Sequence, residues 1–458
     1  MKRLLPALLT SAMLLTACAP LEKLFSSAAS PQDVSLTLSE KQQWWRVFHD
    51  PLMDQLAPQL LEQNIDLKIA RERVAEARGL ERVANAGFFP DLSLSGSATR
   101  SNNAFFVSKP ISTEQVGFDA SWEVDLFGRI AAQSDAASSR LRAQESSSRD
   151  ATNTVLADLF RAIIEWRQAQ QTITETTSLL QSQQDQISLF DTRVQAGLIE
   201  ATSLERARAQ QAQTAVELPL AQASARIAQY RIERLLGKTS GALTGLFEQQ
   251  APLSLNVPVL SGDNDIPIET IRQRPDIRTA YAQMLAAQAD LAEAEANLWP
   301  KLTLTGFYGA RDLPQGVPAA GNPIWTLAAG LSAPLLNFGR LHGAVDASNA
   351  RSQQASLEYE NKVLSALEET RSALSDYTGG LEAVTQQEKA LEHRRETIVL
   401  ARERFTRGLT DMTDLTTAQT ELDQATLTLI QRKANTAIAY IRLQKALGVS
   451  VMKSDSDR

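Results

Sequence analysis

The chain of 458 residues is written twice. The segment Ala86-Gly87-Phe88-Phe89-Pro90-Asp91-Leu92-Ser93-Leu94-Ser95-Gly96 returns 210 residues later as Ala296-Asn297-Leu298-Trp299-Pro300-Lys301-Leu302-Thr303-Leu304-Thr305-Gly306. At an offset of 211, Phe127-Gly128-Arg129 returns as Phe338-Gly339-Arg340, Gly197-Leu198 as Gly408-Leu409, and Leu236-Gly237 as Leu447-Gly448. Repeats of solenoids run about 20 to 50 residues. A period this long is a duplicated domain, and every local reading has to hold in both copies.

Each copy contains two stretches of period-two alternation. Val116, Phe118, Ala120, Trp122 and Val124 hold the even positions of one, with Gln115, Asp119, Ser121, Glu123 and Asp125 between and after them. Leu92, Leu94 and Ala98 alternate with Ser93, Ser95, Ser97 and Thr99; their counterparts Leu302, Leu304 and Tyr308 alternate with Thr303 and Thr305. The fourth stretch runs Trp325, Leu327, Ala329, Leu331, Ala333, Leu335. Turn-rich segments at 100–113 and 311–324 join them into hairpins spanning about 91–126 and 301–336. Pro90 and Pro300 mark the change from helix to strand, because the residue before a proline is pushed out of the helical region. Phe89 and Trp299 then sit where interfacial aromatics belong. Alternation of this kind marks a membrane-barrel strand, and a half-buried soluble sheet produces it equally well.

The rest reads as helix. Residues 129–196 contain neither proline nor glycine, which allows roughly 100 Å of helix at about 1.5 Å per residue. Leu159, Trp166, Ile173, Leu180, Ile187 and Val194 recur every seven residues there, and Tyr377, Val384, Leu391, Ile398 and Phe405 do so in the second copy. A seven-residue period predicts coiled-coil-like packing. Gly197 and Gly408 end these helices, and shorter helices with Leu204 and Leu218, or Leu415, Leu422 and Leu429, return antiparallel. Thr202 or Ser203, and Thr410 or Asp411, are the expected caps of the returning helices.

The organisation expected is a leader at 1–17, an anchor and equatorial segment at 18–60, a first repeat at 61–237 with its helical hairpin at 129–236, and a linker at 238–270. A second repeat follows at 271–448, with its helical hairpin at 340–447, and a tail at 449–458. Lys2 and Arg3 precede an apolar run from Leu4 to Leu15, the pattern of a secretory leader. Leu15-Thr16-Ala17-Cys18 resembles the bacterial lipoprotein box, in which the cysteine is acylated after cleavage. Cys18 is the sole cysteine, so a disulfide within the protomer and a thiolate metal cluster are excluded. Loss of the leader removes two positive charges and takes the net charge from -7 to -9, an acidic balance that argues against nucleic acid as a partner. Ala19 rather than an aspartate follows Cys18, and the lipoprotein pattern then implies the outer membrane.

Four strands cannot close a barrel, and an open edge in lipid leaves backbone groups unpaired at several kcal/mol each. The chain must therefore oligomerise. Trp122-Glu123-Val124-Asp125-Leu126-Phe127-Gly128-Arg129, Arg274-Pro275-Asp276-Ile277-Arg278 and the two Gly-Leu turns resemble the outer membrane factor family, the TolC-like efflux channels. The resemblance covers nearly the whole mature chain. It implies a mostly α protomer whose four strands join those of two other copies in a trimeric twelve-stranded β-barrel, continued by a long helical tunnel. It implies a passive exit channel in a homotrimer, with a periplasmic adaptor and an inner-membrane transporter of the resistance-nodulation-division type as partners. The adaptor would dock on the tips, at Gly197, Leu198, Gly408 and Leu409. Family members carry gate aspartates just after the second tip glycine; Asp411, Asp414 and Thr417 fall there, with Thr417 in the place of a second aspartate. A ring of carboxylates at a constriction selects cations, while the same residues could only cap the helix.

Nothing in the sequence reads as an enzyme or calls for a cofactor other than the lipid on Cys18. His49, His342 and His393 are isolated. Gly237-Lys238-Thr239 mimics the end of a phosphate loop, but Ile232 stands where the loop needs glycine, and a helix end is expected instead. An exit channel for type I protein secretion fits the same pattern. A lipid-anchored coiled-coil scaffold would explain the heptads but not the strands.

Overall fold

In the computed structural model, which describes residues 43–101, 111–250, 255, 257–258, 271–312, 323–410 and 412–448, each copy is a helix, a β-hairpin and a helical hairpin. The first copy comprises α2 (Ile65–Ala86), β1 (Asp91–Ser101), β2 (Ile111–Val124), α3 (Arg129–Gln195), α4 (Ala201–Ala215) and α5 (Glu217–Leu235). A 3-10 turn (Trp44–Phe48) and α1 (Pro51–Gln63) precede it, and α6 (Thr244–Glu248) follows. The second copy comprises α7 (Pro275–Ala296), β3 (Lys301–Asp312), β4 (Ile324–Ser332), α8 (Arg340–Thr406) and α9 (Met412–Ala446). The leader, Cys18, both hairpin loops at 102–110 and 313–322, Asp411 and the tail at 449–458 lie outside the described residues.

The shaft follows from the heptads. Helices α3 and α8 are each 67 residues long, roughly 100 Å. Leu159, Trp166, Ile187, Tyr377, Val384, Leu391 and Ile398 are buried, so the seven-residue stripe is the seam along which the returning helices pack. The two returns differ. The first is interrupted at Val216, three residues before Pro219, which has no N–H to give the preceding turn. Ile430 occupies the equivalent place in the second copy, and α9 runs 35 residues unbroken. The expected caps need correction too. Helix α4 starts at Ala201 with Glu200 as its cap residue, and Thr202 instead turns its hydroxyl to the Glu200 carboxylate at 3.0 Å. The Thr410 hydroxyl is buried with no hydrogen-bond partner among the described residues.

The strands form one antiparallel sheet in the order β1-β2-β3-β4. Its register sets Leu94 against Phe118, Phe118 against Tyr308, and Tyr308 against Trp325. Leu92, Leu94, Val116, Phe118, Tyr308, Trp325, Leu327 and Leu331 are therefore on one face, and all are exposed. The other face carries Ser93, Ser95, Asp119, Ser121, Thr303 and Thr305, with Ser95 donating a hydrogen bond to Asp119. On this polar face Phe307 lies across the paired Gly117 and Gly309, whose missing Cβ atoms would fall 2.6 and 2.8 Å from its ring. An aromatic covering cross-strand glycines restores the contact their side chains lack. The hairpin expected to reach 336 is shorter: β4 stops at Ser332, paired with Lys301, because β3 begins right after Pro300 and offers nothing beyond.

The main core lies where the shaft meets its N-terminal belt. Trp45, Phe48, Leu52, Leu56 and Leu60 pack on Leu159, Phe160, Ile163, Trp166, Tyr377 and Tyr440. A smaller cluster at the turn ends joins Ile187, Phe190, Leu204, Ile398, Met412 and Leu415.

Candidate functional site

The sequence motifs prove to be joints. At the head of the shaft Gly128 takes a left-handed φ of 76, and Asp125 reaches past it to accept hydrogen bonds from the Ile130 and Ala131 amides at 3.1 and 2.8 Å. Those amides would otherwise be orphans of the first helical turn. Arg129 forks onto Glu123 at 2.8 and 3.0 Å and also faces Glu293 of α7, 3.7 Å away. The strand is thus locked to the helix that continues it. Trp122 donates to the Phe88 carbonyl at 3.1 Å, fastening β2 to the turn that enters β1.

The equator holds buried ion pairs. Asp50 caps α1, accepting from the Leu52 amide at 2.9 Å, while both of its oxygens take 2.9 Å hydrogen bonds from Arg167 on α3. Both side chains are buried, and Arg167 also lies over the Trp166 ring. In the second copy Arg274, just before α7, donates to the Ala446 carbonyl at 2.7 Å, to Glu369 at 2.5 Å and to both oxygens of Asp276. Burial alone would raise the Asp276 carboxyl, but Arg274 and Lys362 hold it below its ordinary value. Asp150, in the same small cavity of about 140 Å³, is pushed up by burial and by the charge of Asp276. Gly448, at φ 66, leaves room for Arg274, whose Cγ would lie 2.7 Å from a Cβ there.

Between equator and turn ends, Asp423 of α9 is buried, and among the described residues no basic side chain is paired with it. Gln183 of α3 donates to it at 3.0 Å and Gln419 at 2.7 Å, and Gln183 also reaches Thr214 at 3.1 Å. Burial raises the Asp423 carboxyl, against the lowering effect of the two amides. This carboxylate lines a groove of about 620 Å³ between α3, α4, α5 and α9, with Gln168, Gln210 and Thr420 among its walls. Sequence reading missed Asp50, Arg167 and Asp423. The run Asp50-Pro51, a cap followed by proline at the first helical position, was a usable signal for the first; Asp423, adjoining the heptad position Leu422, offered only a charge beside a seam.

At the turn ends both copies use one device. Gly197 and Gly408 have φ of 72 and 70, and Leu198 and Leu409 each donate to a carbonyl five residues back, Arg193 and Arg404, at 2.9 Å. That six-to-one bond with a left-handed glycine is a Schellman motif. Leu198 and Leu409 are exposed, giving each turn an apolar point. Gly237 closes α5 in the same way at φ 66, so the phosphate-loop mimic is a helix end. Asp414 and Thr417 share the exposed side of α9, opposite Met412, Leu415 and Ala418, which are buried in the turn-end cluster. Among the described residues no group of three or more His, Cys, Asp or Glu could hold a metal ion, and no helix is long and apolar enough to cross a membrane.

The profile of a family described as outer membrane efflux protein matches residues 56–238 and 267–449, once on each copy. The chain belongs to the outer membrane efflux protein family. This efflux protein is 29% identical to the pyoverdine export outer membrane protein OpmQ of Pseudomonas aeruginosa, with 96% of each chain covered. It is 28% identical to the solvent efflux pump outer membrane protein SrpC of Pseudomonas putida, over 88% of this chain and 86% of that one. The solved outer-membrane channel OprN superposes with a TM-score of 0.83 at 28% identity, covering 91% of this chain and 94% of that chain. The protein is a TolC-like outer membrane channel of an efflux pump, and the β-sheet is its membrane part. Proteins of this family and its structural neighbours are channels.

Proposed function

We propose that three copies of this efflux channel close a twelve-stranded barrel, and that acylation of Cys18 anchors each copy in the outer membrane. The supporting observation is a four-stranded sheet with one apolar face and open edges on β1 and β4, set on hairpins about 100 Å long. The apolar face meets lipid, and Ser93, Ser95, Ser121 and Thr305 line the lumen. The bare points at Gly197, Leu198, Gly408 and Leu409 receive the hairpins of a periplasmic adaptor, which joins a resistance-nodulation-division transporter in the inner membrane. The sequence holds no nucleotide-binding loop, so the transporter supplies the energy and the channel is passive. The periplasmic gate is the ring formed by Asp414 and Thr417 of the three copies, with Asp411 beside them. Export of solvents by one relative and of pyoverdine by another favours small organic molecules as cargo.

Native mass measurement in mild detergent tests the assembly, and a stable monomer would defeat it. The anchor is tested by Cys18→Ser: labelled palmitate should no longer be incorporated and a precursor should accumulate. Persistent labelling would remove Cys18 from the proposal.

A further inference from the structure

The two copies carry opposite charge where sheet becomes shaft. In the first copy that corner is neutralised: Arg129 forks onto Glu123 and faces Glu293, Asp125 takes the first amides of α3, and Arg140 pairs with Asp290 of α7. The repeat keeps the arginines and drops the acids. Arg340 and Arg351 stand where Arg129 and Arg140 do, while Glu123 becomes Pro334 and Asp125 becomes Leu336. At the offset of 210 that relates α2 to α7, Glu293 and Asp290 correspond to Val83 and Leu80, and Asp91 becomes Lys301. Among the described residues Lys301, Arg340 and Arg351 are therefore left without an ion pair.

These cations border one open cleft. Its upper part, of about 500 Å³, is lined by Lys301, Arg340, Trp299, Asn297 and Leu341. Its lower part, of about 380 Å³, shares Ala294, Asn297 and Ala344 with the upper and reaches Arg351. Asp290 and Glu293 border the lower part as well, but Arg140 and Arg129 engage them. The register says which side of the sheet the cations take. Lys301 lies opposite Ser332 and alternates with Leu302, on the face of Thr303 and Thr305; Glu123, which Arg129 holds, lies opposite Thr303 on that same polar face. The apolar face, where lipid would lie, is the other one.

We propose that this cleft is a station for organic anions inside the channel, one in each protomer at the foot of the barrel. The inference rests on the reading above that the polar face lines the lumen, and adds to it a class of cargo. Lys301 supplies a compact charge, and Arg340 a planar fork that matches a carboxylate, phosphate or sulfonate. Trp299 and Leu341 give the cleft an apolar wall for the body of such a molecule. Trp299 is itself held by Phe127, with ring centroids 5.4 Å apart and planes 16° from parallel. A cleft of this size is in the range that holds a small organic molecule. In a chain of net charge -7 the station locally offsets a field that repels anions. Arg340 and Arg351 are exposed, so water keeps the binding weak, and a site within a conduit has to release what it holds.

The test is the single-channel current of the purified full-length protein in bilayers of neutral lipid. Naphthalene-1-sulfonate, 1-naphthylmethylammonium and 1-naphthalenemethanol share a ring system and differ in charge. The sulfonate should block the parent channel at a several-fold lower concentration than either of the others. Lys301→Gln with Arg340→Gln should raise that concentration several-fold, and Arg351→Gln should raise it less. Pro334→Glu leaves every cation in place and gives Arg340 the partner that Arg129 has, so it too should weaken the block. Equal block by the three probes, or a sulfonate block that survives both the double variant and Pro334→Glu, overturns the station. Loss of the block when anionic lipid replaces neutral lipid would assign the cations to headgroups and overturn it as well. If the parent is not blocked and Arg340→Gln lowers the heat resistance of the trimer, the cations pair with carboxylates of the partner subunit and the proposal falls. A parent that conducts without block rejects the station alone; one that is monomeric by native mass and does not conduct rejects the channel reading beneath it.

Discussion

The equator and the turn ends are both places where the two helical hairpins meet, yet they are joined by different means. At the equator, Trp45, Trp166, Phe160 and Tyr377 are all buried in one cluster, the Asp50–Arg167 pair ties the N-terminal belt to the shaft, and Arg274 ties the start of α7 to Glu369 of α8 and the Ala446 carbonyl of α9. At the turn ends the cluster is small, built mostly of aliphatic side chains around Phe190, with Arg193 lying 4.8 Å from the Phe405 ring centre. Between them stands Asp423, a buried carboxylate held by the amides of Gln183 and Gln419. Local opening draws on regions with few buried contacts, so under the proposed gate the turn ends are expected to separate before the equator does.

The largest effect should come from the equator. Arg167→Ala leaves Asp50 buried and unpaired, at a cost of about 3 to 5 kcal/mol. That should abolish heat-resistant trimers and lower the amount inserted, read by electrophoresis of unboiled membranes. Phe190→Ala removes a fully buried ring at the turn ends, for about 3 kcal/mol or somewhat more. Its effect should be confined: hydrogen exchange should rise near residues 187–204 and 398–418 while the equator keeps its protection. If Phe190→Ala loosens both regions equally, the two do not move separately.

The same contrast explains what the sequence revealed. The heptads Leu159 to Val194 and Tyr377 to Phe405 named the seam, and the period-two runs named the sheet faces, because both depend on side-chain spacing that a chain carries openly. The repeat predicted two like copies, and the structure departs from that at Pro219, which breaks one return while Ile430 leaves the other whole. The ends of elements were less legible. Where β4 stops depends on where its partner begins, and Glu200 rather than Thr202 starts α4 because the turn from Gly197 is short. Contacts such as Gln183 with Asp423, 240 residues apart, have no local signature.

Acid should act on Asp276 at the equator and on Asp423, between equator and turn ends, with opposite sign. Asp276 is held below its ordinary value, so its contribution is present at neutral pH and is lost as pH falls through the depressed folded value. Asp423 is raised above 3.8, so it binds its proton more firmly folded than unfolded. Its penalty grows as pH rises from that value through the folded one and is complete above it. Asp423→Asn should therefore stabilise the shaft at neutral pH and flatten the dependence on pH above the ordinary carboxylate value. The amide also offers a donor to the Gln183 Oε1, which has no hydrogen-bond partner among the described residues. Thermal unfolding of the purified trimer across pH is the measurement, and a variant less stable at neutral pH would mean that the charged form is favoured in the fold.

The smallest effect on stability, and the most direct on passage, belongs to the exposed side of α9. Asp414 lies in the first helical turn on the face away from the buried Met412, Leu415 and Ala418, so Asp414→Ala leaves the buried side chains of the turn-end cluster in place. In the proposed gate it removes one carboxylate per protomer at the constriction, which should weaken cation binding there and raise single-channel conductance. Gly408→Val separates gate from turn. A Cβ at Gly408 would meet nothing within 4 Å, so its cost comes only from φ 70, where a β-branched residue is strained. That variant should insert its barrel normally and fail to export from intact cells, because the Schellman turn that presents Leu409 is lost. If Asp414→Ala leaves both conductance and cation block unchanged, Asp414 only complements the dipole of α9. The narrowing would then have to lie in the turn-end cluster itself, where Phe190→Ala would be the variant that widens the pore.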